Sequence, residues 1–383
     1  MSGKYEISAA DSGEVYEYIK GDEWQGLRAL LLRRGFSVNC LISSNPDNYP
    51  HSLLQAASQL GSLDVIEGLI SDGAELECSK HYGTPLNCAV AFDQFSAAEL
   101  LLKLGANPNA IGPSEVDGDA KWTPLLRATF RRNRPLVELL LQKGADPRTV
   151  SRRSASVLTC AAHNQDVELV KKFSAIGASP VGSALLCAID KENEEILGFL
   201  LAAGCDPNYV AGASELALCE KGDTPLSLAM TRYMTWNTMT SLRTAMEAEG
   251  RVFPQVDFTK MIQMLLQAGA DPNKQVGNRT PLSIAACAGL VEVSHLLLDF
   301  GADPTGKSFS SFVDGVRQKG TRSAFYETAL HTALKGGYKQ IVRALLEAGA
   351  NPSDVDHSGV SALEWVQKSN NPELIALFDQ MYG

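Results

Sequence analysis

The sequence predicts an all-α fold, a solenoid of about ten helix-turn-helix units with long loops between units and one insertion between two helices. Three observations lead to this prediction. A short helix-start motif built on Thr, Pro and Leu recurs along the chain. Each copy is followed, one short helix later, by an apolar run at helical spacing. A glycine then closes the unit, because glycine adopts the left-handed conformation at a helix end without a steric penalty.

The stretch 278–301 is the clearest copy of this unit. Thr280 is a good N-cap, since its hydroxyl can accept a hydrogen bond from a free amide of the first turn. Pro281 follows at the position where a missing amide costs nothing. Gly289 ends this first helix, and a second helix with a broad apolar face continues to Gly301. The stretch therefore predicts a pair of helices joined by a tight turn.

The same start and the same closing glycine recur in phase through the chain. Clear starts lie at Gly83, Trp122, Asp223 and Glu327, and weaker ones near Glu14, Ser52, Ser156, Ser183 and Ser361. The closing glycines are Gly35, Gly73, Gly105, Gly144, Gly177, Gly204, Gly269, Gly301 and Gly349. In its period and in the motif T-P-L-H-x-A, the unit resembles the ankyrin repeat, and the resemblance covers nearly the whole chain. It implies an ankyrin-repeat solenoid with long finger loops, a finger loop being the segment that joins one unit to the next.

We expect a single ankyrin-repeat domain over 1–383. Its parts are an N-terminal capping unit at 1–48, repeats at 49–357 and a C-terminal capping unit at 358–383. Capping units are expected because the ends of a solenoid need a polar outer face. The repeats depart from regularity at an insertion, 231–257, and at a long loop, 302–327.

The insertion is predicted to begin as a prolonged helix that ends at Gly250. Met234, Met239, Leu242 and Met246 recur along it at turn spacing. Methionines of this kind can line an adaptable binding face, because their side chains are flexible and polarizable. The alternative is that the helix packs against its own neighbours.

Two further segments are predicted from local patterns. In the long loop, Phe309, Phe312, Val313 and Val316 fall on one face of a predicted short helix. Near the N-terminus, the stretch 36–50 contains N-P-D-N and is predicted to be a surface loop.

Composition and charge limit the classes of function. The net charge of -10 argues against a general nucleic-acid binder and favours a basic or neutral partner. Eight cysteines without a C-x-x-C pair favour buried thiols in a reducing compartment. The first residues lack an apolar signal core, and no run of about 18 apolar residues occurs. We therefore expect a cytoplasmic protein that is a monomer on its own and does not bind a membrane.

Motifs that would carry chemistry are weak. The stretch 301–308 satisfies the phosphate-loop pattern G-x-x-x-x-G-K-[ST], but a phosphate loop follows a buried strand, whereas here a helix precedes. His331 occupies the T-x-L-H position of the family, where a hydrogen bond between neighbouring repeats is expected. Neither H-E-x-x-H nor G-x-S-x-G occurs. We expect no catalysis, no cofactor and no metal site.

The resemblance also implies a concave binding surface, formed by the finger tips and the exposed ends of the first helices. The positions that stand out on it are Leu60, Phe92, Trp122, Phe130, Arg131 and His163. Arg127 opens a basic island, which continues with Arg131, Arg132, Arg134, Lys143, Arg148, Arg152 and Arg153. Because Trp, Tyr and Arg dominate binding hot spots, we expect Trp122, Phe92, Phe130 and Arg131 to be exposed on one groove segment that binds the partner. The further residues expected to bind it are Arg127, Leu60 and His163. A fully buried aromatic residue is the alternative. Arg132 stands where the clearest unit has Gly289, at a position that favours a left-handed conformation.

The function implied by the resemblance is a non-catalytic protein-protein interaction module that binds its partner in a concave groove. A dedicated inhibitor or immunity protein that neutralises a toxin or enzyme is the alternative, for which the acidic charge is mild support. A nucleotide-binding enzyme that uses 301–308 is the remote alternative.

Overall fold

The computed structural model describes residues 4–7, 9–42, 51–79, 83–112, 122–151, 155–212, 222–238, 256–275, 279–310, 312–313, 316–317, 325–369 and 371–382. They belong to two compact units, Met1–Ala184 and Leu185–Gly383. Helices dominate both units, so the predicted all-α repeat fold is confirmed. No helix in this part of the chain combines the length and apolarity needed to cross a membrane.

The helices of the first unit form consecutive pairs. They are α1 (Ala9–Lys20) and α2 (Trp24–Arg34), α3 (Leu53–Leu60) and α4 (Leu63–Ser71), α5 (Pro85–Ala91) and α6 (Phe95–Lys103), α7 (Pro124–Phe130) and α8 (Arg134–Gln142), and α9 (Val157–His163) and α10 (Val167–Ala175). First helices pack on first helices from α1 to α9, and second helices on second helices from α2 to α8. Each pair thus buries its apolar faces against its neighbours, as stacked repeats do.

The second unit repeats this arrangement after α11 (Ser183–Asp190), which begins at the boundary. Its further helices are α12 (Glu194–Ala202), α13 (Pro225–Thr238), α14 (Phe258–Gln267), α15 (Pro281–Ala288), α16 (Val291–Asp299), α17 (Ala329–Lys335), α18 (Lys339–Glu347), α19 (Ala362–Ser369) and α20 (Pro372–Tyr382). First helices pack from α13 to α19, and second helices from α12 to α20.

Local chemistry sets the ends of these helices. The hydroxyl oxygens of Thr84, Thr123, Thr280 and Thr328 each accept a hydrogen bond from the amide three residues later, at 3.2–3.4 Å. This cap satisfies an amide that has no partner inside the helix. All nine predicted closing glycines have positive φ, from 67° at Gly35 to 99° at Gly105. The two sequence signals that define the repeat therefore act where they were predicted.

Asparagine side chains join successive finger loops. Asn109 Nδ2 donates to the Gly144 carbonyl oxygen at 3.2 Å, and Asn109 Oδ1 accepts from the Asp146 amide at 2.8 Å. Asn39, Asn208 and Asn273 make the same two bonds to the closing glycine and the finger loop of the following repeat. Because one amide group satisfies a donor and an acceptor of the neighbouring backbone, these residues fix the spacing of the loops.

A small sheet lies near the N-terminus. Strand β1 (Lys4–Glu6) is parallel to β2 (Phe36–Ile42), which is antiparallel to β3 (His51–Ser52). The predicted surface loop is therefore wrong for Phe36–Ile42, and 43–50 lie outside the described residues. The reason is packing: Cys40 and Ile42 are buried, and the strand lies against α3.

The long loop also differs from its prediction. It contains strands β4 (Lys307–Ser310), β5 (Phe312–Val313), β6 (Val316–Arg317) and β7 (Phe325–Thr328) instead of a short helix. Strand β4 pairs antiparallel with β7, and β5 with β6. Ser308 Oγ also donates to Ser283 Oγ at 2.7 Å, which fixes β4 at the start of α15. The backbone groups are satisfied across a hairpin, so the helical spacing of apolar residues did not decide the structure.

The insertion begins as predicted with a helix longer than the other first helices. Helix α13 continues through Tyr233, although the corresponding residues of other repeats, such as Gly289 and Gly337, turn left-handed. The Tyr233 ring stacks on Phe258 with centroids 5.8 Å apart, and the Trp236 ring lies 6.1 Å from the same ring. These aromatic contacts hold the additional turns against α14. Residues 239–255 of the insertion, including Met239, Leu242, Met246 and the predicted end at Gly250, lie outside the described residues.

Candidate functional site

The candidate site lies at the C-terminal ends of three successive first helices, α5, α7 and α9. It consists of Phe92, Phe130, Arg131, Arg132 and His163, which we call the helix-end surface. The repeat itself places these residues, because each follows the Ser or Thr cap of its helix by about two turns. Distinct side chains of three repeats are thus brought to equivalent positions.

Arg131 is held by a carboxylate of the preceding repeat. Arg131 Nη2 lies 3.0 Å and Nε 3.3 Å from Asp93 Oδ2, and Asn133 Nδ2 donates to Asp93 Oδ1 at 2.9 Å. Partial burial raises the pKa of Asp93, but these donors and the Arg131 charge outweigh burial and keep that pKa below its ordinary value. Asp93 therefore remains ionised and orients the Arg131 guanidinium between two repeats.

The aromatic part of the surface is a short row of rings. The half-buried Phe130 ring stacks on His163 with centroids 5.9 Å apart and an interplanar angle of 17°. Its other neighbour is Trp122, which meets it edge-on at 5.1 Å and 76°. Asn164 Nδ2 donates to the carbonyl oxygens of Thr129 at 2.7 Å and Phe130 at 3.0 Å, which ties α9 to the end of α7. The position of the Phe130 ring is therefore fixed from two sides.

The expectation that Trp122 is exposed is wrong, because its relative accessibility is 2%. The Trp122 backbone pairs with Gly112 across the preceding finger loop, with N···O distances of 2.7 and 2.8 Å. This bridge holds the residue against the repeat, and its ring packs on Phe130. Trp122 is a core residue that supports the helix-end surface from below.

Arg127 is also buried, at 5% accessibility, and so is not part of an exposed basic island. It lies on α7, which packs against α5, and its charge is close enough to affect the Cys88 thiol of α5. Burial raises the pKa of Cys88 to about 12, although the Arg127 charge acts in the opposite direction. Arg127 lies on the face of α7 that is directed toward the neighbouring helix. The sequence shows that the residue is charged but not that this helix covers it, so its burial was not predicted.

Phe92 and Leu60 occupy the ends of the two preceding first helices. Phe92 caps α5 and is 46% exposed, which agrees with its predicted exposure. Leu60 is the last residue of α3 and is half-buried. The predicted role of both in binding a partner stays a prediction.

Arg132 has φ 61°, so the left-handed conformation predicted at this position is present. The equivalent residues of other repeats share this conformation: Asp22, Gly61, Asp93, Gln165, Glu192, Gly289 and Gly337. A left-handed residue with a Cβ is strained by about 1–2 kcal/mol. The Arg132 side chain is exposed, and it forms no hydrogen bond or ion pair with any residue that the structure describes.

The rest of the basic island is partly neutralised. Arg134 forms a two-point ion pair with Asp166, with Nη2–Oδ1 at 2.7 Å and Nε–Oδ2 at 3.1 Å. Arg148 takes the place of the finger-loop asparagine, and its Nε donates to the Gly177 carbonyl oxygen at 3.4 Å. Arg152 and Arg153 lie outside the described residues. Arg131 and Arg134 thus also serve to join repeats.

The phosphate-loop lookalike has the wrong order of elements. Gly301 follows helix α16, and Lys307 opens strand β4, whereas a phosphate loop leads from a strand into a helix. The helix amides that would hold a phosphate are therefore not present at this position. Lys307 Nζ lies 5.2 Å from the centroid of the Tyr326 ring instead.

One cluster near the C-terminus has metal-ligand chemistry. Donor atoms of Glu327, Asp356 and His357 lie within 4.8 Å of one another. Lys335 Nζ is 2.5 Å from Glu327 Oε1 and 3.6 Å from Asp356 Oδ2, so an ammonium group already occupies the position of a cation. Asp356 Oδ1 also accepts from the Ser358 amide at 2.8 Å. These contacts explain the cluster as support for the turn that begins at Asp356.

His331 joins two repeats, as its motif position predicted. Its Nδ1 lies 2.8 Å from Thr328 Oγ1, and its Nε2 lies 3.3 Å from the Val360 carbonyl oxygen of the next repeat. Burial lowers the pKa of His331, more than the opposing effects of the Asp356 charge and the Val360 carbonyl raise it.

Asp93 and Asp166 were missed by the sequence analysis although they hold Arg131 and Arg134. Asp93 follows Phe92 directly and is equivalent to Arg132, so an alignment of repeats would have placed it beside the next repeat's arginine. The pairing itself needed the structure, because the residues are 38 positions apart.

Comparison with known proteins agrees with this architecture. The family of "Ankyrin repeats (3 copies)" matches residues 53–151 and 125–211, and "Ankyrin repeat" matches 277–308 and 326–357. The ankyrin repeat and KH domain-containing protein mask-1 of Caenorhabditis elegans is 29% identical over 374 residues, which cover 92% of this chain and 12% of mask-1. The E3 ubiquitin-protein ligase KEG of Arabidopsis thaliana is 25% identical over 367 residues, covering 90% of this chain and 20% of that protein.

This chain therefore spans a small part of both curated relatives. Among solved structures, the ankyrin repeat domain of human ASB11 is 22% identical with a TM-score of 0.44, over 67% of this chain and 98% of that domain. The family matches extend over more than half of the sequence, and they coincide with the capped helix pairs described above. The chain belongs to the ankyrin repeat family.

Proposed function

We propose that this protein is a non-catalytic protein-protein interaction module and that its helix-end surface contacts the partner. Ankyrin repeats generally mediate protein-protein interaction, which supports the coarse part of the proposal. The surface is supported by one observation above all, the 46% exposure of Phe92 beside the Asp93–Arg131 pair. An aromatic ring next to a fixed guanidinium provides both the apolar area and the directed donors that binding hot spots use.

Preorganisation strengthens this argument. The Phe130 ring is fixed between Trp122 and His163, and the Arg131 guanidinium is fixed by Asp93. Groups that are already ordered lose little side-chain entropy when a partner binds. The surface therefore has the rigidity expected of a recognition site, and Trp122 contributes by support and not by contact.

The proposal includes a cytoplasmic location, a partner that is a protein, and a monomeric state before binding. No disulfide joins the seven described cysteines, which supports a reducing compartment. The net charge of -10 is unfavourable for general binding to nucleic acid. The alternative, a dedicated inhibitor or immunity protein, differs in one consequence. Its captured partner would be an enzyme or toxin whose activity falls when this protein binds.

Site-specific photocrosslinking in extract of the source cells tests the proposal. A benzophenone amino acid replaces Phe92 in one variant and Phe300 in the matched control, an aromatic residue with 39% exposure that directly follows the second helix α16. We expect a crosslinked protein from position 92 that is not obtained from position 300. Adding Arg131→Ala should reduce this product, whereas Arg28→Ala, which removes a comparable exposed arginine paired with Asp72, should not.

Equal crosslinking from both positions, or none from position 92, would refute the proposed surface. The remote enzymatic alternative has a separate test with the full chain. If ATP binds and Lys307→Ala abolishes that binding, the interpretation of 301–308 as an ordinary repeat end is wrong.

A further inference from the structure

We infer that the helix-end surface receives an acidic segment of the partner protein, whose carboxylates bind Arg132 and Arg131 while an adjacent apolar side chain lies on Phe92 and Phe130. This inference rests on the proposed function and specifies the chemistry of the partner. It starts from the conformation of Arg132.

The left-handed position is occupied in different ways along the chain. Glycine removes the strain at Gly61, Gly289 and Gly337. Aspartate is tolerated there and is also used internally, since Asp22 Oδ1 accepts from the Val65 amide at 3.0 Å and Asp93 accepts from the next repeat.

Arg132 has neither advantage. Its long side chain gains nothing from the left-handed backbone, and it forms no hydrogen bond or ion pair within the part of the chain that the structure describes. Gln165 is the equivalent residue of the next repeat, with φ 58° and an exposed neutral side chain. Arg132 therefore differs from it by an exposed charge. Because Gln165 shares the backbone strain, the exposed charge of Arg132, and not the strain alone, is the reason to look for a use in binding.

The charges around Arg132 determine the chemistry of the partner. Asp93 already accepts hydrogen bonds from Arg131 and Asn133, so its charge is compensated within the protein. Asn164 and Gln165, which lie next to the helix-end surface, are neutral. Arg132 is thus an exposed positive charge without an acidic partner among the described residues, although the net charge of the whole chain is -10. The net charge of the whole chain favours a basic partner. The local positive charge instead predicts that the segment of the partner that contacts this surface is acidic.

The apolar neighbours complete the recognition site. Phe92 is 46% exposed, and the Phe130 ring is half-buried and fixed against His163. Arginine and phenylalanine side by side suit a segment in which Asp or Glu is next to Leu, Phe or Trp. Such a segment buries apolar area while its carboxylates accept guanidinium hydrogen bonds.

Peptide selection with the full chain tests this inference. A library of random dodecapeptides is selected on the immobilised protein, and the recovered peptides are synthesised with fluorescein for anisotropy titrations. We expect a consensus that contains Asp or Glu beside a large apolar residue. Binding should weaken as salt concentration rises, because the contact is partly electrostatic.

Two glycine variants at equivalent backbone positions separate strain from recognition. Arg132→Gly and Gln165→Gly should both raise the thermal midpoint, by about 2 °C or more, because each relieves a left-handed non-glycine residue. Arg132→Gly should weaken the selected peptides at least about tenfold, the usual loss for a charged hydrogen bond. Gln165→Gly should leave their affinity unchanged. A variant that is more stable and binds less is not explained by unfolding.

The outcomes distinguish this inference from the proposed function. If selected peptides lose affinity with Phe92→Ala but lack acidic residues, or bind Arg132→Gly as tightly as the parent, the acidic segment is refuted and the binding surface stands. If the peptides bind Phe92→Ala and Arg131→Ala normally, the surface itself is refuted. Recovery of no peptide above background also overturns the inference, because a preorganised site should select its ligand chemistry.

Discussion

Replacing Trp122 with alanine removes a side chain that the sequence analysis placed on the surface and the structure places in the core. Trp122 is 2% exposed, and its ring meets Phe130 with centroids 5.1 Å apart. The substitution should therefore act on stability first. Its effect on binding should follow from loss of support for Phe130.

The expected loss follows from the buried area. A tryptophan side chain buries roughly 200 Å², and at about 25 cal/mol per Å² this contributes about 5 kcal/mol. Large-to-small substitutions of Trp in cores cost about 3–5 kcal/mol, because the surroundings close the cavity only in part. We expect Trp122→Ala to lose about 3–5 kcal/mol of unfolding free energy in its neighbourhood.

Amide hydrogen exchange measures this loss locally, which suits a protein whose repeats contact mainly their neighbours. Protection of the α7 and α8 amides should fall in Trp122→Ala. Phe92→Ala is the matched aromatic truncation in the same compact unit, Met1–Ala184. Because Phe92 is 46% exposed, this variant should lose about 1 kcal/mol of unfolding free energy or less. The two variants thus separate support of the surface from contact with a partner.

A loss below about 1 kcal/mol for Trp122→Ala would refute the argument, since no buried tryptophan can be removed at that cost without another residue filling its place. A larger loss for Phe92→Ala than for Trp122→Ala would reverse the roles assigned to the two rings.

Three further predictions follow from the described contacts. Asn109→Ala should lose about 1–2 kcal/mol by urea denaturation, because it removes two hydrogen bonds between finger loops; unchanged stability would show that these bonds are replaced by water. Burial lowers the pKa of His331 in the folded state, so the unfolded state binds the proton more readily. Stability should therefore be complete above the ordinary histidine pKa of about 6.5 and fall as pH drops below it. Denaturation curves of the parent and of His331→Gln across this range should show a smaller pH dependence in the variant, and equal slopes would exclude His331 as the cause. Finally, native maleimide labelling should modify exposed Cys287 before the buried Cys160, whose pKa burial raises to about 12. Alkylation of the denatured, non-reduced chain should add eight groups, and fewer would indicate a disulfide.

The positions of the helix-end surface were predictable, but the burial of the neighbouring Trp122 and Arg127 was not. Counting seven and eight residues from each N-cap gave Phe92, Phe130, Arg131 and His163 as helix-end residues, and the structure places them at the ends of α5, α7 and α9. The same counting placed Trp122 beside its own helix start, yet its environment depends on Gly112 of the preceding finger loop. Periodicity fixes a residue's place within a repeat, whereas burial depends on what the neighbouring repeat places against it.

By itself, the sequence determined where the helices start and end. Thr-Pro caps and closing glycines act within a few residues, through local hydrogen bonds and backbone dihedral angles, so Thr280 and Gly301 could be interpreted without tertiary contacts. The left-handed conformation of Arg132 was predictable for the same reason.

The tertiary structure decided the features that join residues distant in the chain. The hairpin of β4 and β7 replaced a predicted helix because its backbone partners are brought together by the repeat. Arg127 and Trp122 became core residues, and Asp93 fixed Arg131, because stacking brings neighbouring repeats into contact. Local preferences carry no information about these pairings, since the free energy that selects them arises from burial and charge between side chains of different repeats.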